Sequence, residues 1–284
     1  MTHELHQQNR RSWNHATRAH NAHKGDQAAF LRNGGSTLFP EELELLGELH
    51  GKRVVHLQCN AGQDSVSLAA RGASVTGVDI SDEAITFASK LAADSGIPAR
   101  FERADVYDWL EEAVRVGRRF DAVFSSYGVV CWLPNLDAWA RSIAAVLKGG
   151  GRFVLVDFHP AADMFDERWT HARDYPSGGE QLPLEEGVGD YVAESEGGLT
   201  PAGFVEGKRD FENPHRCNLF RWGLGEVVTA LAAAGLRIVA LKEYLYANGE
   251  RAFSDMHELP GRRMVPPEHV PAVPLMYGIC AEKA

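Results

Sequence analysis

Short apolar runs alternate along the chain with stretches of helical spacing, an order that predicts an α/β protein. Runs compatible with buried strands lie at Val54 to Leu57, Ser74 to Val78, Ala99 to Arg103, Phe120 to Ser125, Arg152 to Phe158, Leu236 to Tyr244 and Leu275 to Glu282. Between them stand helical segments with clear stops. Asp64 to Arg71 is ended by Gly72, and a helix capped by Ser81 with Asp82 and Glu83 in its first turn runs to Gly96-Ile97-Pro98. Leu136 to Leu147 precedes Lys148-Gly149-Gly150-Gly151, and Gly223 to Ala234 is stopped by Gly235. A further helix, Pro40 to His50, places Leu43, Leu46 and Leu49 on one face.

Two regions depart from this alternation and set the expected division of the chain. Residues 1–40 are polar, carry His3, His6, His15, His20 and His23, and read as a solvated helical lid with a Gly34-Gly35 hinge. From Ala161 to Arg221 the pattern breaks into short Gly-, Pro- and aromatic-rich pieces. Gly189 to Ser195 and Gly203 to Phe211 alternate enough to pair as antiparallel strands, with Trp169, Tyr175, Tyr191 and Phe204 as pocket or packing aromatics. The expected units are a lid at 1–40, a core at 41–160, a covering insertion at 161–222 and a C-terminal completion of the core at 223–284.

The first apolar run ends at Gln58-Cys59-Asn60-Ala61-Gly62, a polar turn before a helix whose N-terminal amides point back over it. The second ends on Asp79. In doubly wound sheets an acid there accepts hydrogen bonds from ribose hydroxyls, so a nucleoside-containing ligand is predicted. The turn lacks the three glycines that admit a pyrophosphate, since only Gly62 is present.

These residues resemble the first motif of the class I S-adenosylmethionine-dependent methyltransferases, approximately (D/E)xGxGxG. His56 stands at the acid, Gln58 and Asn60 at the first two glycines, and Gly62 at the last. The resemblance continues in order to about residue 160, through Asp79-Ile80, Ala104-Asp105-Val106, Ser126-Tyr127-Gly128, the glycine stop at 149–151 and a strand ending in Asp157-Phe158-His159-Pro160. It implies a Rossmann-like, mostly parallel seven-stranded sheet with an antiparallel last strand and a cover inserted between the fifth and sixth strands. It also implies S-adenosyl-L-methionine as cofactor, held by Trp13, Gln58, Cys59, Asn60, Gly62, Asp79, Ile80, Asp105, Val106 and Ser126, with Asp105 accepting the adenine amino group. Trp13 belongs to an opening Ser12-Trp13-Asn14 similar to the family's aromatic first helix, while Tyr127 lies where the acceptor would meet the methyl group.

The implied chemistry is in-line displacement on an activated methyl donor, with S-adenosyl-L-homocysteine as product. A hydroxyl or protonated amine acceptor also needs a base. His159, at the carboxyl end of the fifth strand, is the first candidate, with His215 in the turn Asn213-Pro214-His215 second.

Composition narrows the partners. A net charge of −10 without a Lys/Arg cluster argues against nucleic acid, and no apolar run is long enough to span a membrane. Cys59, Cys131, Cys217 and Cys280 show no CxxC spacing, which predicts reduced thiols, no metal site and a cytoplasmic protein. The enclosed, aromatic, non-basic insertion suggests a small organic acceptor reacting through oxygen or nitrogen. Acceptor identity and oligomeric state stay open. So do two other classes: a non-catalytic module that keeps the cofactor site, and an NAD(P)-dependent oxidoreductase sharing the strand, turn, helix and acid.

Overall fold

The computed structural model describes residues 2–207, 210–270 and 272–284. The chain opens with α1 (Thr2–Ala22), α2 (Gln27–Arg32) and α3 (Pro40–Leu46). The alternating core follows as β1 (Arg53–Leu57), α4 (Gln63–Ala70), β2 (Ser74–Asp79), α5 (Asp82–Ser95), β3 (Arg100–Arg103), α6 (Val106–Arg115), β4 (Phe120–Ser126), α7 (Leu136–Val146) and β5 (Leu147–Phe158). The insertion holds β6 (Glu180–Leu184), α8 (Tyr191–Ser195) and β7 (Cys217–Arg221). The chain then runs through α9 (Leu224–Ala233), β8 (Leu236–Tyr244), β9 (Ala247–Asn248), β10 (His257–Leu259), β11 (Arg263–Val265) and β12 (Met276–Lys283).

Seven strands form one sheet in the order β3-β2-β1-β4-β5-β12-β8. The first five are parallel, and β12 runs antiparallel to both its neighbours. Helices cover both faces of the sheet's centre, so its central strands are largely apolar: Val54, Val55 and Leu57 of β1 and Phe153 to Val156 of β5 are fully buried. Trp139 of α7 anchors one layer, packed edge-on against Phe153 at 5.2 Å. The chain order reverses between β1 and β4, and the crevice at that switch point is where a doubly wound sheet binds its ligand.

Several expectations are corrected in detail. The helix from Pro40 stops at Leu46, where Gly47 takes φ 67; the expected Leu46 and Leu49 are buried and Leu43 packs half-buried against the same cluster, with Leu45 added to it. The glycines at 149–151 stand inside the irregular start of β5. Gly189 to Ser195 and Gly203 to Phe211 do not pair. Asp190 caps the short helix α8, Phe204 makes only an isolated bridge with Lys24, and residues 208 and 209 lie outside the described residues, as does Pro271 of the proline-rich loop. The insertion's hairpin is β6 with β7.

The N-terminal helix is docked, not solvated. Asn9 and Asn218 of β7 exchange hydrogen bonds, the Asn9 amide donating at 3.0 Å and its carbonyl accepting the Asn218 N–H at 2.7 Å. Arg10, Asn14 and Arg18, one helical turn apart, meet the acidic first turn of α5 at Asp82 and Glu83. Of the five N-terminal histidines, His6, His20 and His23 are buried, and they bond to Asp105, the Gly189 carbonyl and Asp190 respectively.

Candidate cofactor and acceptor site

The turn after β1 keeps the backbone of a glycine-rich loop while replacing two of its glycines. Gln58 has φ 54, Asn60 φ 48 and Gly62 φ 79, so the three alternate positions are all left-handed. Asn tolerates that region and Gln pays about 1 kcal/mol or more for it. What holds them is Asp79, whose carboxylate accepts the N–H of Asn60 and of Ser81, each at 2.8 Å. Burial pushes the Asp79 carboxyl up to about 6, against the pull of those N–H donors. His56 lies beneath, its Nδ1 2.9 Å from the Ser65 hydroxyl, and burial lowers it to about 4, so this position is neutral at pH 7.

A cavity of about 590 Å³ opens over this turn at the carboxyl ends of β1, β2 and β4, roofed by α1 and the insertion. Among the site residues expected from sequence, Trp13, Gln58, Cys59, Asn60, Asp79, Ile80, Asp105, Val106, Ser126 and Tyr127 line it. Trp13 meets Trp132 and Tyr191 edge-on, at 5.4 and 6.4 Å between ring centroids. The Tyr127 hydroxyl accepts a bond from Asn248 at 2.9 Å, and burial beside Glu42 raises its pKa well above the usual phenol range, so it stays protonated.

Three expected residues do not line the cavity. Gly62 instead starts α4 and packs outward: a Cβ there would lie 2.6 Å from that of Ala88 and 2.8 Å from Phe101. His159 is buried beside β12, its Nδ1 accepting the Ala161 N–H at 3.1 Å and its Nε2 2.9 Å from Glu243. Both nitrogens are turned away from the cavity, and burial lowers its pKa despite Glu243. His215 stands outside the cavity, edge-on to His15 at 5.9 Å. Neither histidine lines the cavity.

In their stead the fold supplies residues that the sequence did not single out. His6 reaches the Asp105 end of the cavity, its Nδ1 2.5 Å from Asp105 and its ring stacked on Tyr107 at 5.7 Å. Lys24 and Arg262 line another part; burial lowers Lys24 to about 8, while Arg262 donates to the carbonyls of Gly198 and Thr37. Glu250 lines the wall near Tyr191. Of the aromatics in the insertion, Tyr191 lines the cavity, whereas Trp169 stacks on Phe253, Phe204 on His23, and the Tyr175 hydroxyl caps the Leu224 N–H.

Three buried polar atoms of cavity-lining residues have no protein partner among the described residues: Nε2 of His6, Oε1 of Gln58 and Oδ1 of Asn248. Asp105 takes Nδ1 of His6, which leaves Nε2 as the ring nitrogen toward the cavity. The wall therefore offers an imidazole nitrogen at the Asp105 end, a carboxylate at Asp79 and an amide oxygen at Gln58. That sequence of groups fits an adenine amino group, a ribose and an ammonium group in turn.

The profile of the methyltransferase domain family matches residues 54–151, which contain β1 to the start of β5. An S-adenosylmethionine-dependent methyltransferase from Mesorhizobium loti superposes with a TM-score of 0.55 at 20% identity, over 88% of this chain and 99% of that one. By sequence, a ubiquinone biosynthesis O-methyltransferase from Nitrosomonas europaea is 34% identical over 109 residues, 38% of this chain and 44% of the relative. The chain thus spans less than half the length of the first curated relatives it matches. Residues 54–151 thus match the methyltransferase domain family, and the fold as a whole is the one seen in S-adenosylmethionine-dependent methyltransferase structures.

Proposed function

We propose that this protein transfers the methyl group of S-adenosylmethionine to an oxygen or nitrogen of a small organic acceptor. The observation that carries the reading is one continuous cavity that joins a nucleoside-type site, at Asp105 and Asp79, to an aromatic chamber at Tyr127, Phe158 and Tyr191. A module that only bound cofactor would not need the chamber. The name of the Nitrosomonas relative favours oxygen as the attacking atom.

When bound, S-adenosylmethionine supplies an electrophilic methyl group on a good leaving group. The protein's own residues bind, orient and exclude water. Asp79 would receive the ribose hydroxyls, the His6–Asp105 pair would meet the adenine amino group, and Ile80 and Val106 would line the place of the base. Gln58 takes the ammonium group that the neutral His56 cannot pair. Tyr127, held by Asn248, forms part of the chamber where the acceptor is aligned.

His6→Ala is then expected to weaken S-adenosylhomocysteine binding about tenfold, the equivalent of about 1.4 kcal/mol, and to lower the melting temperature by several degrees as the Asp105 carboxylate loses its partner. Calorimetry on the two proteins reads this directly. The function itself is tested by incubating the protein with S-adenosylmethionine and a panel of phenols, hydroxy acids and amines. Acceptor-dependent formation of S-adenosylhomocysteine supports the reading. Methylation confined to protein or RNA substrates counts against it.

A further inference from the structure

With His159 and His215 outside the cavity, the acceptor end needs another proton acceptor, and one carboxylate there is unused. Glu250 lines the cavity just after β9, and its side chain has no hydrogen bond or ion pair among the described residues. Its backbone is tightly held. The preceding Gly249 takes φ 73 against Gly198, where a Cβ on either glycine would come within 2.6 Å of the other's carbonyl oxygen, and the following Arg251 N–H donates to the Ser195 hydroxyl at 3.0 Å. This contact pins the wall segment to the cover, so Glu250 has a defined position.

Neighbouring residues tie that position to both parts of the cavity. Asn248, two residues earlier, bonds to the Tyr127 hydroxyl, and Tyr191, within electrostatic reach of Glu250, accepts a bond from Asn60 at 3.3 Å. Glu250 thus lies between the turn that would carry the methionine portion and the tyrosine of the acceptor chamber. The charged and titratable groups that act on it are Glu194 of α8 and Asp157 at the end of β5, both acidic, together with Tyr191. Among the described residues no cation is paired with it: Arg262 is committed to the Gly198 and Thr37 carbonyls, and Arg251 donates to the Met256 carbonyl.

We propose that Glu250 faces the point of methyl transfer and takes the proton of the attacking oxygen or nitrogen. The inference rests on the methyltransferase reading above. In the step, a lone pair of the acceptor atom forms the bond to the methyl carbon, and the carbon–sulfur bond breaks with its electrons going to sulfur. The acceptor's proton passes to the Glu250 carboxylate, which later releases it to solvent. Burial and the two acidic neighbours push this carboxyl up to about 7, a value suited to accepting a proton near neutrality.

The test needs no knowledge of the acceptor. Sinefungin carries a protonated amine where the sulfonium methyl group stands, whereas S-adenosylhomocysteine carries no charge there. Above pH 7 the ionised Glu250 should make the wild type bind sinefungin about 10- to 100-fold more tightly than S-adenosylhomocysteine, the effect of one charge-assisted hydrogen bond. Because the carboxyl gains its proton as pH falls through about 7, that preference should shrink below it. Glu250→Gln should bring the affinity ratio near one at every pH with S-adenosylhomocysteine binding retained, and Glu194→Gln, outside the cavity, should keep the preference. A Glu250→Gln protein that still prefers sinefungin overturns the proposal. If that variant does not fold, a pH-independent ratio in the wild type and in Glu194→Gln overturns it equally. Loss of S-adenosylhomocysteine binding by the wild type would instead refute the methyltransferase reading.

Discussion

Asp79→Ala should lower the affinity for S-adenosylhomocysteine at least about 100-fold. Each hydrogen bond to a charged group contributes about 1.5–3 kcal/mol, and a ribose offers two hydroxyls to this one carboxylate. The loss extends beyond the ribose, because the same oxygens hold the N–H groups of Asn60 and Ser81 at 2.8 Å. Without them the left-handed turn at Gln58 and Asn60 loses its restraint, and the site that would hold the methionine portion loosens with it. A pH dependence follows from the same group. Its carboxyl sits at about 6 in the folded protein, above its ordinary 3.8, so it is ionised above pH 6 and gains a proton below. Affinity should therefore fall as pH drops through 6 in the wild type and stay flat in Asp79→Ala. The sign for stability is the opposite one. A carboxyl whose folded value is raised favours folding at low pH, and that contribution is lost as pH rises through 6. Calorimetric titration at pH 5 to 8 reads the affinity, and thermal melting of the free protein from pH 4 to 7 reads the stability.

The second large effect is on stability. Gly62→Ala places a methyl group 2.6 Å from Ala88 and 2.8 Å from Phe101, on a residue whose φ of 79 disfavours any side chain. Left-handed strain of about 1–2 kcal/mol adds to overpacking of about 1–3 kcal/mol. A fall in melting temperature of roughly 5–10 °C is expected at this chain length. The displaced helix α4 would also carry the turn away from Asp79. By contrast, Asn60→Gly should leave the melting temperature within a few degrees of the wild type, since the left-handed conformation at that position then costs nothing while a flexible residue enters the turn. Differential scanning calorimetry on both variants checks the pair.

How much was legible in the sequence depended on whether the signal was local. The strands and helices of residues 53–158 were readable because buried parallel strands are short apolar runs and their helices carry caps, as Ser81 does for α5 by accepting the Ala84 N–H. Asp79 and Asp105 were readable because their places at strand ends follow from chain order. The insertion was not. Alternation in residues 189–195 suggested a strand, yet Asp190 accepts the Ala193 N–H and begins a helix, a local hydrogen bond that competes with any ladder. His159 looked suitable because it ends β5, but β12 closes over that end and the Ala161 N–H takes its nitrogen. His6 and Glu250 reach the cavity from segments about a hundred residues or more away from the turns they face. No periodicity records such an approach; only the packing of α1 on α5 and of Gly249 on Gly198 brings them in.

The residues that replaced the family's glycines make the same point from the other side. By composition, Gln58 and Asn60 look like a broken motif, yet both adopt the left-handed backbone that glycine would. In exchange for local strain the turn gains side-chain groups: the Gln58 amide donates to the Val129 carbonyl at 3.0 Å and leaves Oε1 toward the cavity, and the Asn60 amide donates to Tyr191. The motif is altered in sequence and retained in shape.

The central claim, that this cavity takes the methyl donor of the class, is tested most directly by titrating the wild-type protein with S-adenosylhomocysteine, with NADH as the competing nucleoside ligand. The account predicts saturable binding of one S-adenosylhomocysteine per chain and none of NADH, because the turn at 58–62 offers no glycine cradle for a pyrophosphate. Binding of NADH with no response to S-adenosylhomocysteine would contradict it.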